Sequence, residues 1–381
     1  MGGPPVVTYA GPRTAAPAVK ANKYMHGLDL LRILAALAVI YNHYSNWLRL
    51  NGHDFLPAHV VDGLLTDPLH LNERLSFVGV CVFLLISGMV VTHVAFRESS
   101  PQFLGRRAAR LLPAMWVMVV IAWVMVSNKW LSANRLPDAD DLVFNLLLVN
   151  FTVPATSSVL AITWTLCIQM AFYLFVAATI PLLKRWPWLP PAISVAFVSV
   201  LLSVTPPEGG PPWSSVRMIA TFLPVLFIGQ LISLVRSGRL SAPAGLAFGV
   251  LHYLMFLRAD LTSERWPPGE AFTRQLLVLT LVLLIATKAN GRLVRSPWVA
   301  AVAKRTYAIY LVHIPVGFPV LGWLTPVTGY WGSVAVALVG VAIAAELLYR
   351  LVELPAANWY RKREKARLER REARSEARQR A

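Results

Sequence analysis

The chain alternates between long apolar runs and short connections that are basic, polar or rich in proline. Ser76–Ala95, Leu111–Val126, Val159–Leu183, Arg217–Val235 and Gly332–Leu351 approach the ~20 residues that a helix needs to cross a bilayer. Together with shorter runs they predict an all-α, polytopic membrane helix bundle of about ten transmembrane helices. The expected spans lie near residues 28–45, 76–95, 111–127, 159–183, 190–205, 217–235, 241–257, 275–288, 306–323 and 331–352. Leu142–Pro154 reads as a re-entrant or interfacial piece, since a full span there would carry Lys184 and Arg185 across the membrane. Residues 1–26 then form a cytoplasmic N-terminal segment, 27–355 the membrane domain, and 356–381 a basic cytoplasmic tail. Residues 1–22, rich in Pro, Gly and Ala without an apolar core, do not resemble a cleaved signal peptide, so the first helix is expected to direct insertion.

Composition agrees with a membrane location. Apolar residues make up 56% of the chain and charged residues 14%, with a mean hydropathy of +0.55, more apolar surface than a soluble domain can bury. The net charge of +17 points to orientation in a membrane rather than to nucleic acid, because of where the charge sits. With both termini in the cytoplasm, 26 Lys and Arg fall on that side and eight on the other, as the positive-inside rule requires of an even number of spans. The expected location is therefore multi-pass in the cell membrane. Cys81 and Cys167 both fall in apolar runs, which implies neither a disulfide framework nor a metal site.

Ionisable groups within membrane helices are costly, roughly 2.5–3.5 kcal/mol at mid-bilayer, and mark function by default. In the first helix Arg32 and His43 are eleven residues apart. At 100° per residue that returns to within ~20° of one face, ~16 Å along the axis. The alternative is that Arg32 snorkels to the surface and His43 bonds a neighbouring backbone. After the second helix, Arg106-Arg107-Ala-Ala-Arg110 puts Arg107 and Arg110 on one helical face, on the same side as Arg32. Planar guanidinium forks suit phosphate oxygens, although arginines there also serve as topology signals. His313 reads as structural or catalytic, Glu346 as a helix-face partner of Arg350, and Tyr41 and Tyr44 as an interfacial belt more than an acceptor site.

These segments resemble the acyltransferase-3 family of membrane acyltransferases. Arg32 to His43 is similar to its Arg-x10-His signature, and Gly79-Val80…Phe83…Ser87-Gly88 to its second-helix pattern. Arg106 to Pro113 resembles its Arg-x-x-Arg loop and Trp164-Thr-Leu…Phe172-Tyr173 its Trp-Ser/Thr-Leu…Phe-Tyr segment. Tyr307-Ala-Ile-Tyr310-Leu-Val-His313 and Arg350-Leu-Val-Glu353-Leu-Pro355 are similar to its last two motifs. Two departures are Gln169, where the family has Glu and a proton acceptor, and Cys81, where it often has Asp. Cys81 is expected to pack between helices. The resemblance implies acyl transfer to a hydroxyl from acyl-CoA as co-substrate, acetyl-CoA foremost, with no bound cofactor or metal. His43 would act as general base, with Arg32 and the CoA-binding pair Arg107 and Arg110 near the thioester or phosphates. The acceptor would be a hydroxyl-bearing small molecule or glycan. A glycosylated antibiotic suits the short loops, and cell-envelope polysaccharide is the alternative. A transporter or flippase is the rival class, though broken helices and paired halves are not evident in the sequence.

Overall fold

The computed structural model describes residues 24–72, 75, 77–133, 135–262 and 272–380. The expected N-terminal segment up to residue 23, with Arg13, Lys20 and Lys23, lies outside the described residues, as do Arg74 and Arg265. Every regular element among the described residues is a helix: α1 His26–Leu50, α2 Leu56–Val61, α3 Val78–Ala95, α4 Ser100–Ser127, α5 Ala139–Leu146, α6 Trp164–Arg185, α7 Leu189–Val204, α8 Trp213–Arg236, α9 Ala242–Leu261, α10 Phe272–Ala286, α11 Pro297–Ala303, α12 Thr306–Leu348 and α13 Leu354–Arg380. Six helical stretches among these residues are long and apolar enough to cross a bilayer, and α7 and α10 are apolar but shorter.

The expected stretches 306–323 and 331–352 both fall on α12, which would be about 65 Å long if straight, twice the hydrocarbon thickness of ~30 Å. Gly329 breaks it, with φ 69° and ψ 174°, a conformation open in practice only to glycine. The side chains show that the chain folds back there. Thr325 Oγ1 donates to Ser333 Oγ at 2.9 Å, although eight residues of straight helix would hold them ~12 Å apart. Arg305 pairs with Glu346 across the two arms, so Glu346 holds this hairpin closed as well as meeting Arg350.

Two further differences from the sequence expectation have local causes. α4 starts eleven residues before the expected span, because Ser99, Pro101 and Gln102 start a helix. The Ser99 amide donates to Gln102 Oε1 at 3.0 Å, and Pro occupies the first turn, where its missing N–H costs nothing. Arg106, Arg107 and Arg110 are therefore on the helix and not in a loop. Within Leu142–Pro154 only α5 is regular, and its eight residues span about 12 Å. Asp138 and Asp141 cap it reciprocally at 2.9 and 3.0 Å, and Asn145 bonds the Ser157 carbonyl at 2.8 Å.

α3 is central, pressed against neighbours on two sides through glycine. A Cβ on Gly79 would stand 2.6 Å from the Ala35 carbonyl oxygen of α1. Gly88 lies against the Leu226 carbonyl of α8, and Gly229 of α8 lies against the Leu85 carbonyl, in a reciprocal crossing. Such small-residue contacts let membrane helices approach backbone to backbone. At one end of the bundle the basic residues gather. Lys184 donates to the Glu98 carbonyl at 2.7 Å, Arg236 to Thr287 Oγ1 at 2.8 Å, and Arg106 bridges Glu98 and Glu364, each at 2.8 Å. The last contact docks α13 on α4, with Gly105 under the Tyr360 ring.

Gly88→Ala and Gly229→Ala should each lower thermal stability in detergent, by about 1–3 kcal/mol of overpacking. Gly249→Ala, whose added methyl would meet nothing within 4 Å, is the control. Melting curves for the first two that coincide with the parent would remove the glycine crossing from the account.

Candidate active site

Two cavities are stacked along α1. The first, of about 950 Å³ counted with its mouth, is lined by Arg32 of α1, Arg107 and Arg110 of α4, Gln169 and Tyr173 of α6 and Tyr307 of α12, among others. Arg32 thus reaches the bundle interior beside the α4 arginines and does not simply run to the surface. Each of the three guanidinium groups has a buried carboxylate behind it, but at long range. Arg32 stands 3.4 Å from Asp29, Arg107 3.6 Å from Glu98 and Arg110 3.9 Å from Glu353. Arg106, outside the cavity, makes its pairs at 2.8 Å, the usual length of a charge-assisted bond.

The carboxylates are partly committed elsewhere. Tyr24 donates to Asp29 Oδ2 at 2.7 Å, and Arg106 takes Glu98 Oε1. Arg107 is further held over the Phe103 ring at 5.3 Å, and its buried Nε has no hydrogen-bond partner. Three cations of one sign thus converge with loosely satisfied donors, an arrangement suited to a polyanion.

The second cavity, of about 830 Å³ counted with its mouth, contains His43 and Asn42 of α1 and is otherwise mostly aromatic and aliphatic, with Trp164, Phe222 and Phe272 in its wall. His43 does not share the arginine cavity. The ~16 Å of helix between it and Arg32 places the two groups in adjoining chambers. Val80 of α3 and Tyr310 of α12 line both.

The structure gives His313 a definite place. Its ring lies 5.1 Å from that of His43, centroid to centroid. Nδ1 is 2.7 Å from the Tyr310 carbonyl oxygen, which can only accept, so Nδ1 carries the proton and Nε2 of the neutral ring is an acceptor. That Nε2 is buried without a hydrogen-bond partner. Sequence reasoning left His313 undecided and gave Tyr310 no role beyond its place in the motif. The available signal was their i, i+3 spacing, which put both on one helical face.

Tyr44 corrects the belt expectation. It is buried in the bundle, donates to the His313 carbonyl at 3.1 Å and packs on Gly317, because Gly317 leaves room for its ring. Other candidates lie apart from the two cavities. Cys81 is fully buried among apolar neighbours. His252 meets Ser194 Oγ at 3.0 Å, but that hydroxyl also bonds the Pro191 carbonyl at 2.8 Å, so its proton is committed to the backbone. Among the described residues no group of three or more His, Cys, Asp or Glu could hold a metal.

Comparison with known proteins supplies the identity. The acyltransferase domain of the acyltransferase-3 family matches residues 25–350. Acyltransferase MdmB of Streptomyces mycarofaciens is 27% identical over 359 residues, covering 85% of this chain and 89% of that protein. Nodulation protein 10 of Rhizobium leguminosarum bv. viciae is 26% identical, over 88% of this chain and 94% of its own length. The putative peptidoglycan O-acetyltransferase YrhL of Bacillus subtilis is 27% identical over 88% of this chain, which spans 55% of YrhL. No solved structure matches. The family match covers both cavities, and the chain belongs to the acyltransferase-3 family of membrane-integral acyltransferases.

Proposed function

We propose that this enzyme transfers an acyl group, acetyl foremost, from acyl-CoA to a hydroxyl of a neutral glycosylated or lactone-type natural product. The observation that carries the reading is the pair of adjoining cavities, one lined by three arginines and the other holding His43 among aromatic rings. Arg32, Arg107 and Arg110 hold the CoA phosphates, and the thioester reaches toward His43. His43 takes the proton of the acceptor hydroxyl as its oxygen attacks the thioester carbonyl. The tetrahedral intermediate then expels the CoA thiolate, which recovers that proton from the imidazolium. The enclosing helices keep water from competing with the acceptor.

The described lining of the second cavity holds no carboxylate and no permanent cation, which supports a neutral acceptor. Its aromatic walls favour apolar ring faces such as those of a deoxysugar or lactone. Envelope polysaccharide is the second reading, favoured by the likeness to a putative peptidoglycan O-acetyltransferase. The transporter alternative loses its ground with the family. Membranes carrying the enzyme, given labelled acetyl-CoA and a panel of neutral glycosides, lactones and envelope polysaccharide, should label a glycoside or lactone. Label on polysaccharide alone selects the second reading, and label on neither overturns both.

In this reading ten crossings leave both termini in the cytoplasm, with the arginine cavity at the CoA-bearing face. Leu368→Cys, in a variant lacking Cys81 and Cys167, should react with an impermeant thiol reagent only from the cytoplasm, and Gly209→Cys only from outside. Reaction of both from one side would overturn the ten-crossing topology.

Arg107→Ala and Arg110→Ala should each raise the KM for acetyl-CoA by about 10- to 100-fold, since a hydrogen bond to a charged group contributes about 1.5–3 kcal/mol. A KM equal to the parent's in both variants would return these residues to topology signalling.

His43→Gln keeps a polar side chain but cannot take a proton. It should fold normally, bind acetyl-CoA as the parent does, and lose on the order of 10²–10⁴ in kcat. A purely structural His43 predicts the reverse, a lowered Tm with activity falling only in step with folded protein. Near-parental kcat in folded His43→Gln would remove His43 from the chemistry.

A further inference from the structure

Tyr310 stands where the two cavities meet and is held from several directions. Its hydroxyl donates to the Ile162 carbonyl at 2.9 Å and lies 2.8 Å from Thr165 Oγ1. Ile162 belongs to the histidine cavity and Thr165 to the arginine cavity, so these bonds straddle the junction. The Tyr310 backbone carbonyl takes the His313 Nδ1 proton. Its ring lies between Phe83 at 6.2 Å and His313 at 5.8 Å. The other residue common to both cavities is Val80, one position after the glycine that presses α3 onto α1.

We propose that Val80 and Tyr310 form the acyl-chain selector of this enzyme, an inference that rests on the acyl-CoA reading above. With its phosphates on Arg32, Arg107 and Arg110, a thioester meets a hydroxyl at His43 only if its carbonyl lies at the junction. The acyl chain then occupies the gap between the two side chains. The Tyr310 ring cannot swing aside without giving up both hydroxyl contacts. Val80 sits on a helix whose backbone is fixed by Gly79 and Gly88 against α1 and α8. The gap is therefore set by side-chain size. A single methylene in such a pocket changes discrimination by about 10- to 200-fold, enough for one valine to decide between acetyl and longer chains. Neither residue touches the reacting proton, so both act on which donor fits and not on the chemistry itself.

The test measures binding, so it needs no acceptor. Equilibrium dissociation constants for CoA and for non-hydrolysable thioether analogues carrying two-, three-, four- and six-carbon chains are measured on the full-length protein in detergent. The parent should bind the two-carbon analogue at least ~10-fold more tightly than the four-carbon one. Val80→Ala should reduce that ratio ~10-fold or more, and Val80→Leu should move the penalty to the three-carbon analogue. Tyr310→Phe, which keeps the ring but loses its hydroxyl contacts, should flatten the profile. CoA itself should bind all four proteins alike, which also reports folding, and Val80→Leu and Tyr310→Phe carry the test if Val80→Ala does not fold. A parent that binds no CoA would overturn the reading of the arginine cavity and this inference with it. CoA binding with a chain-length profile unmoved in the variants would overturn the selector alone.

Discussion

The approach of α3 to α1 and α8 at Gly79, Gly88 and Gly229 is the constraint on which the rest of the bundle depends. Inside a membrane, lipid is as apolar as the helix surfaces, so burial gives little drive for helices to associate. Close van der Waals contact must supply it, and glycine allows backbone to meet backbone. Once α3 is fixed between two neighbours, its Val80, Phe83 and Ser87 edge forms one wall of the arginine cavity, and Val80 borders the histidine cavity as well. The faces of α1 that carry Arg32 and His43 are then set relative to α4, α6 and α12. A looser α3 would leave both cavities without a defined width.

The arginine cavity shows how a low-dielectric bundle tolerates three cations in one place. An isolated buried charge costs several kcal/mol, and a pair offsets this only with good geometry. Asp29, Glu98 and Glu353 neutralise Arg32, Arg107 and Arg110 at 3.4 to 3.9 Å, close enough to hold the charges yet too long to satisfy the donors fully. The tight bonds go to groups outside the cavity, as in the Glu98–Arg106–Glu364 chain that fastens α13 to α4. Structure and readiness are thereby divided between neighbouring arginines on one helix.

The histidine cavity follows the opposite logic. Its described lining is uncharged, and its one imidazole that faces the space rests against a second ring whose tautomer is dictated by a backbone carbonyl. The Tyr44 bond to His313 and the room left by Gly317 lock α1 to α12, so the two rings keep their separation.

What the sequence determined by itself was local. Apolar run length marked the six helical stretches long enough to cross a bilayer, and charge placement set the expected orientation of their ends. The eleven-residue spacing of Arg32 and His43 and the three-residue spacing of Arg107 and Arg110 fixed shared faces, because helical geometry is set by near neighbours. The family likeness over most of the chain was legible in motifs such as Tyr307 to His313. Other features needed the tertiary structure. Arg32 meets Arg107 and Arg110, whereas His43 belongs to a separate chamber. His313 sits against His43, Tyr44 turns inward, and Val80 and Tyr310 stand between the cavities. Each of these depends on which helix packs against which, and at what depth. Among uniformly apolar helices that choice is made by a few glycines and buried bonds between residues far apart in sequence, and their partners leave no local trace.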